Sequence, residues 1–245
     1  MRLRLLALIG SGIAACNGAE PGPPWNADLR SPDLLRPDQA APGEDTPPVP
    51  DGPGLSDAAD SHDLPAPPSF SDVPAGHPHH TEITWVAQMS IMEPCQPNLF
   101  CPGAQVPRAE MATAVGRMKL GASFTPNPTP HFSDVPTSHP AFKYVQGLAD
   151  HGSLAGCGGG LFCPDAGATR AAVAILMIKT KFGDSFGYST MPHFSDVPAG
   201  HPAFKFVQKM KDEQIAEGCG GGKYCPDDII QRQQLAVFLY MAKTL

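Results

Sequence analysis

Three arginines recur at a fixed step. Arg108, Arg170 and Arg232 lie 62 residues apart, since 170 − 108 = 62 and 232 − 170 = 62. A guanidinium can grip a carboxylate through two parallel, charge-assisted hydrogen bonds. An arginine repeated in this way is a candidate for holding an acidic group on a ligand. It is also a candidate for fixing the fold, each arginine pairing with the aspartate of its own repeat, Asp72, Asp134 or Asp196. The residues alone leave both roles open.

The cysteines keep the same step. Cys95 and Cys101, Cys157 and Cys163, and Cys219 and Cys225 form three Cys-x5-Cys pairs, and Cys16 is the seventh cysteine. Such pairs can ligate a metal or form short disulfides. An exported chain favours the disulfides Cys95–Cys101, Cys157–Cys163 and Cys219–Cys225. His77, His139 and His201 stand just before prolines at expected helix starts, where a capping or packing role is the natural one. His77, His79 and His80 form an HPHH cluster that could take zinc adventitiously. No metal site and no cofactor is assigned. There is no nucleophile-elbow serine, no HExxH and no isolated cysteine with a partner histidine. The glycine runs at 158–160 and 220–222 are not phosphate loops, because no GK[ST] follows them. Every prominent polar position recurs three times, which suits binding or scaffolding better than one active centre. The expectation is a non-catalytic protein.

Elements that would position these residues follow from the same period. Phe70, Phe132 and Phe194 each open an FSDVP segment. In the third repeat Ala203, Phe206, Val207 and Met210 fall at i, i+3, i+4 and i+7, an amphipathic helical stripe. Pro202 fits the first turn of that helix, which should run to about Gln214 or Ile215. Ala141, Tyr144, Val145 and Leu148 repeat the stripe upstream. A second helix is expected from each arginine. Its stripes are Met111, Ala114, Val115 and Met118; Val173, Leu176, Met177 and Thr180; and Leu235, Phe238, Leu239 and Ala242. Two short helices cannot bury their stripes alone, but three such pairs can bury them against one another. The expected fold is mainly α: three helix-loop-helix repeats over residues 69–120, 131–182 and 193–245, joined by Pro/Gly-rich segments and packed as a pseudo-threefold cluster.

Residues 1–68 are of a different kind. The formal charge of −7 argues against nucleic acid as a partner. It is also uneven: residues 17–68 hold ten acidic and two basic residues, and the repeats hold 14 acidic against 13 basic. Residues 17–68 are rich in Pro, Asp, Ala and Gly and show no period, so they read as a disordered tether. Its reach is on the order of 40 Å as a coil and roughly 160 Å as polyproline II. Trp25 and the Leu34-Leu35 pair are its isolated apolar residues. Before it, Arg2 and Arg4 precede an apolar run and then Ile13-Ala14-Ala15-Cys16. That order resembles a bacterial lipoprotein signal. The resemblance implies a signal peptide over 1–15, cleavage before Cys16 and lipidation of its thiol, with the membrane as a partner.

The repeats carry a second resemblance. In repeat three, Phe194-Ser195-Asp196-Val197 is followed by an amphipathic helix, then by Gly218-Cys219-Gly220-Gly221-Gly222-Lys223-Tyr224-Cys225-Pro226, then by Gln231-Arg232. This order resembles the S-layer homology family, with F-x-D-V, a G-Y-x-D-G-x-F-x-P loop and T-R-A-E. Cysteines replace the loop tyrosine. T-R-A-E survives as Pro107-Arg108-Ala109-Glu110, Thr169-Arg170-Ala171-Ala172 and Gln231-Arg232-Gln233-Gln234. The resemblance implies an envelope protein that binds a cell-wall or surface polysaccharide, acidic and pyruvylated glycans included. Lipidation of Cys16 would place it in a bacterial envelope, as in an outer membrane, on the periplasmic or surface face. The alternative is a structural or protein-interaction module in which the arginines serve the fold.

For a sugar ligand, the resemblance sets Arg108, Arg170 and Arg232 beside glycines that let it approach the backbone: Gly158, Gly159 and Gly160, and Gly220, Gly221 and Gly222. Repeat one holds Gln96-Pro97-Asn98 there, and His79, His80 and Glu82 in place of Ala, Phe and an aromatic on its first helix. Arg170 and Arg232 are therefore expected to contribute more to binding than Arg108.

Overall fold

The computed structural model describes residues 67–243; the proposed signal peptide, Cys16 and almost all of the proposed tether lie outside them. Six helices follow in order: α1 (His80–Gln88), α2 (Arg108–Leu120), α3 (Phe142–Asp150), α4 (Arg170–Phe182), α5 (Phe204–Asp212) and α6 (Arg232–Ala242). Between them the described residues hold turns and isolated β-bridges. None of these helices is long and apolar enough to cross a membrane.

The expected stripes face the core. Ala203, Phe206, Val207 and Met210 are buried, as are Val173, Leu176, Met177 and Thr180. Met118 is only half-buried. The first helix of repeat three is shorter than expected. The His201 carbonyl accepts the Phe204 N–H at 2.9 Å, so a separate turn carries Pro202 and the helix starts after it. The helix ends at Asp212, just before Gln214 turns left-handed at φ 57°.

Helices pair between repeats rather than within them. α2 packs on α3, α4 on α5, and α6 returns to pack on α1. The α2–α3 approach is close: a Cβ on Gly116 would meet the Tyr144 Cβ at 2.6 Å. At α6–α1, Trp85 meets Tyr240 edge-on with ring centroids 5.5 Å apart. The second helix of each repeat thus covers the first helix of the next, and α6 on α1 closes a ring of the described helices.

A triangle of backbone hydrogen bonds marks the centre of the ring. Val106 N–H donates to the Ile230 carbonyl at 3.0 Å, Ala168 N–H to Val106 at 2.8 Å, and Ile230 N–H to Ala168 at 2.9 Å. All three residues are fully buried. One segment from each repeat enters the triangle, so every donor there has an acceptor and no buried N–H is orphaned. This is a pseudo-threefold cluster.

Candidate functional site

Each repeat builds its loop on the FSDVP aspartate. Asp72 accepts the N–H groups of Phe100 and Cys101 at 2.9 and 2.7 Å. Asp134 does the same for Phe162 and Cys163, and Asp196 for Tyr224 and Cys225. Burial acts to raise the Asp134 and Asp196 pKa. These N–H donors, the aspartate's own backbone N–H and the nearby His139 or Lys223 together outweigh it and hold both carboxyls below the ordinary aspartate value. Disulfides Cys95–Cys101, Cys157–Cys163 and Cys219–Cys225 close the loops across Cα separations of 6.0, 6.0 and 6.1 Å. The second cysteine of each pair is left-handed, with φ near 58° (58, 58 and 57°).

The aromatic residue inside each loop is fully buried: Phe100, Phe162 and Tyr224. Its backbone carbonyl points at an arginine of the preceding repeat. Arg108 Nε donates to Phe162 O at 2.9 Å, and Arg170 Nε to Tyr224 O at 2.8 Å. Arg232 Nε donates to Phe100 O at 2.8 Å, closing the ring. Each guanidinium also lies over that residue's ring, 4.8, 4.8 and 4.6 Å from the centroid, a cation–π contact.

The expected pairing of each arginine with its own aspartate is therefore corrected. Asp72, Asp134 and Asp196 are engaged by backbone donors of their own loops. The charge felt by Arg108 is that of Asp134, and the charge felt by Arg232 is that of Asp72. Both belong to the next repeat around the ring. Burial is the larger influence on these two arginines and lowers their pKa from the ordinary value, with the carboxylates opposing it.

Three grooves follow from this relay, each lined by the segment after a first helix, the second helix of the same repeat and the arginine of the preceding repeat. Groove 1, about 310 Å³, joins Met92, Glu93, Glu110 and Arg117 to Arg232. Groove 2, about 210 Å³, joins Leu154, Ala155, Ala172 and Ile175 to Arg108. Groove 3, about 420 Å³, joins Ile215, Glu217, Gln234, Val237 and Phe238 to Arg170, with His79 from repeat one.

The grooves differ at the arginine. In groove 1, Arg232 pairs with Glu110, and its Nη2 donates to the Glu93 carbonyl at 2.6 Å. In groove 2, Arg108 Nη2 donates to the Ala155 carbonyl at 2.9 Å. In groove 3, Arg170 is only 3% exposed, and its Nη2 is buried with no hydrogen-bond partner. The Glu217 carbonyl would be the equivalent acceptor, since 93 + 124 = 217. The next residue, Gly218, takes φ 97°, a left-handed value that its equivalent Gly156 does not take.

The other candidate residues lie elsewhere. Gly158, Gly159 and Gly160, and Gly220, Gly221 and Gly222, all have positive φ and open space at the Cβ position. They make the exposed tips of the disulfide loops and are not among the residues that line the grooves. In repeat one Asn98 supplies the positive φ, at 61°. His77, His139 and His201 accept the N–H of His79, Ala141 and Ala203 through Nδ1, each at 3.1 Å, at the start of the first helices. His139 also borders groove 1. Among the described residues no cluster of three or more His, Cys, Asp or Glu side chains is arranged to hold a metal.

Sequence reasoning missed Glu110 and Gln234 as groove residues, because the arginine that shares each groove belongs to another repeat. The signal was present: residues 110, 172 and 234 occupy the last place of the T-R-A-E segment and differ in all three copies.

Residues 131–174 and 193–236 match the family model of the S-layer homology domain. No curated protein matches the chain. Repeat one has the same architecture, with Phe70, the Asp72 clasp, the Cys95–Cys101 loop and Arg108. Domains of this family are non-catalytic cell-surface anchoring modules that bind cell-wall polysaccharide.

Proposed function

We propose, from the premise that this chain carries S-layer homology domains, that it is a non-catalytic envelope protein. Its repeats bind an acidic cell-wall or surface polysaccharide, and its N-terminus is anchored in a membrane through lipidated Cys16. The observation that supports the glycan reading is the set of grooves between repeats, each with an arginine from the preceding repeat in its wall. A groove of 210–420 Å³ suits a sugar unit or two, and a guanidinium in its wall favours a glycan bearing carboxylates. The long acidic segment between Cys16 and the repeats supplies reach from a membrane to a wall.

The test is a pull-down of the full chain with purified wall polysaccharide, set against envelope proteins free of polysaccharide. Retention by the polysaccharide is the expected result. Retention by the proteins alone would replace glycan binding with a protein-interaction role. Anchoring is tested separately. Cys16→Ser should release the chain from membranes or leave an unprocessed precursor, and unchanged membrane association with normal processing would remove the lipid anchor.

A further inference from the structure

Two linkers cross two of the three helix seams. Residues 121–130 cross α2–α3. Lys143 Nζ donates to the Ala122 carbonyl at 2.6 Å, and a Cβ on Gly147 would meet the Phe124 ring at 2.5 Å. Residues 183–192 cross α4–α5. Lys205 Nζ donates to the Asp184 carbonyl at 3.1 Å. Phe186 packs on Phe182 and Phe206, with ring centroids 6.2 and 5.7 Å apart. Tyr188 meets Phe204 edge-on at 6.2 Å. Beneath the linkers Phe142, Tyr144, Phe204 and Phe206 are buried. The third seam, α6 on α1, carries no linker among the described residues. The equivalent places on α1 are His80 and Glu82, both half-buried. Trp85, at the place of Gly147 and Lys209, is half-buried as well and stands edge-on to Tyr240.

One period upstream of the first linker lie residues 59–68, ADSHDLPAPP. Serine stands third and proline tenth in all three copies: Ser61, Ser123 and Ser185, then Pro68, Pro130 and Pro192. Asp60 matches Asp184. The departures are paired. The linker aromatic, Phe124 or Phe186, becomes His62, since 124 − 62 = 62. Phe206, the partner of Phe186 on α5, becomes Glu82 on α1, since 206 − 124 = 82. An aromatic pair is thus replaced by an imidazole and a carboxylate. An imidazole N–H can donate to a carboxylate whether the ring is neutral or charged. A compensated change at both places is what a retained contact requires.

We propose that residues 59–66 form a third linker that straps the α6–α1 seam, with the His62 imidazole donating to the Glu82 carboxylate and covering Trp85. The occupant of this face is the chain's own segment, which joins repeat one where the other two linkers join repeats two and three. The strap shortens the tether to residues 17–58. A pull on the N-terminal segment then reaches the ring across the seam that closes it, on repeats one and three together, instead of on the FSDVP turn of repeat one. The contact stands apart from the glycan and lipid-anchor readings and requires neither.

Trp25 and Trp85 are the chain's two tryptophans. In the full chain with Trp25→Phe, acrylamide quenching of the emission therefore reads the exposure of Trp85 alone. Replacing residues 59–66 by a Gly/Ser segment of equal length removes the strap, and the same replacement over residues 47–54 is the control. A charge swap tests the pair. His62→Glu sets two carboxylates together, and His62→Glu with Glu82→Lys restores opposite charges. Thermal melts establish that every variant is folded. The expected result is about twofold faster quenching after the 59–66 replacement and after His62→Glu, as one face of the indole returns to water. Quenching should be unchanged after the 47–54 replacement and recover in the charge-swapped variant. Unchanged quenching after the 59–66 replacement, an equal rise after the 47–54 replacement, or no recovery on charge swapping overturns the inference. Each of these results leaves glycan binding standing.

Discussion

Arg232→Ala should be the most damaging of the three equivalent arginine substitutions. Arg232 is 6% exposed and holds three acceptors from repeat one: the Phe100 carbonyl through Nε, the Glu93 carbonyl through Nη2 and the Glu110 carboxylate through Nη1. It also lies over the Phe100 ring. Truncation leaves Glu110 without its cation and two carbonyls without a donor, at the contact that closes the ring between repeat three and repeat one. Removing one partner of a buried ion pair costs about 3–5 kcal/mol. Arg170→Ala removes one carbonyl hydrogen bond and contacts over the rings of Tyr224 and Phe238, but no ion pair. Its expected cost is about 1.5–3 kcal/mol. Urea unfolding of the oxidised chain at neutral pH separates the two, since a difference of about 1.5–2 kcal/mol exceeds the extrapolation error. A Glu110→Gln partner variant completes a double-mutant cycle, in which coupling of at least about 1 kcal/mol with Arg232→Ala is expected. Equal losses for Arg232→Ala and Arg170→Ala, or additive behaviour in the cycle, would refute the assignment of Arg232 to ring closure.

Two further outcomes concern the loops. Removing any one disulfide by a Cys→Ser pair should cost about 2–2.5 kcal/mol on the chain-entropy account, measured as a shift in urea midpoint, and mass mapping should find no bridge between repeats. Asp134 and Asp196 have folded pKa values below the ordinary aspartate value, so the stability they contribute is fully present above the unfolded pKa and is lost as pH falls through the folded one. Tm should therefore hold steady from neutral pH down to about 4 and fall below it, and Asp134→Asn should lower the neutral-pH Tm while flattening the acid slope.

The sequence by itself determined the parts. The 62-residue period, the apolar stripes and the second-helix starts at Arg108, Arg170 and Arg232 are local patterns, and the structure repeats them. The Cys-x5-Cys pairs closed within their own loops because six residues of separation leave the sulfurs little else to reach. The tertiary structure decided the partners. Nothing local says that α2 covers α3 instead of α1, or that Arg232 finds the carbonyl of Phe100, 132 residues away. Those pairings follow from ring closure, which shifts every contact by one repeat and turns an Arg–Asp pair expected within a repeat into a relay between repeats. The same closure gives residues 110, 172 and 234 their meaning. As sequence they are a Glu, an Ala and a Gln at one helix position. Only when each shares a groove with the arginine of its neighbour does the first become an internal counter-ion, while the last caps its own helix by accepting the Gln231 N–H.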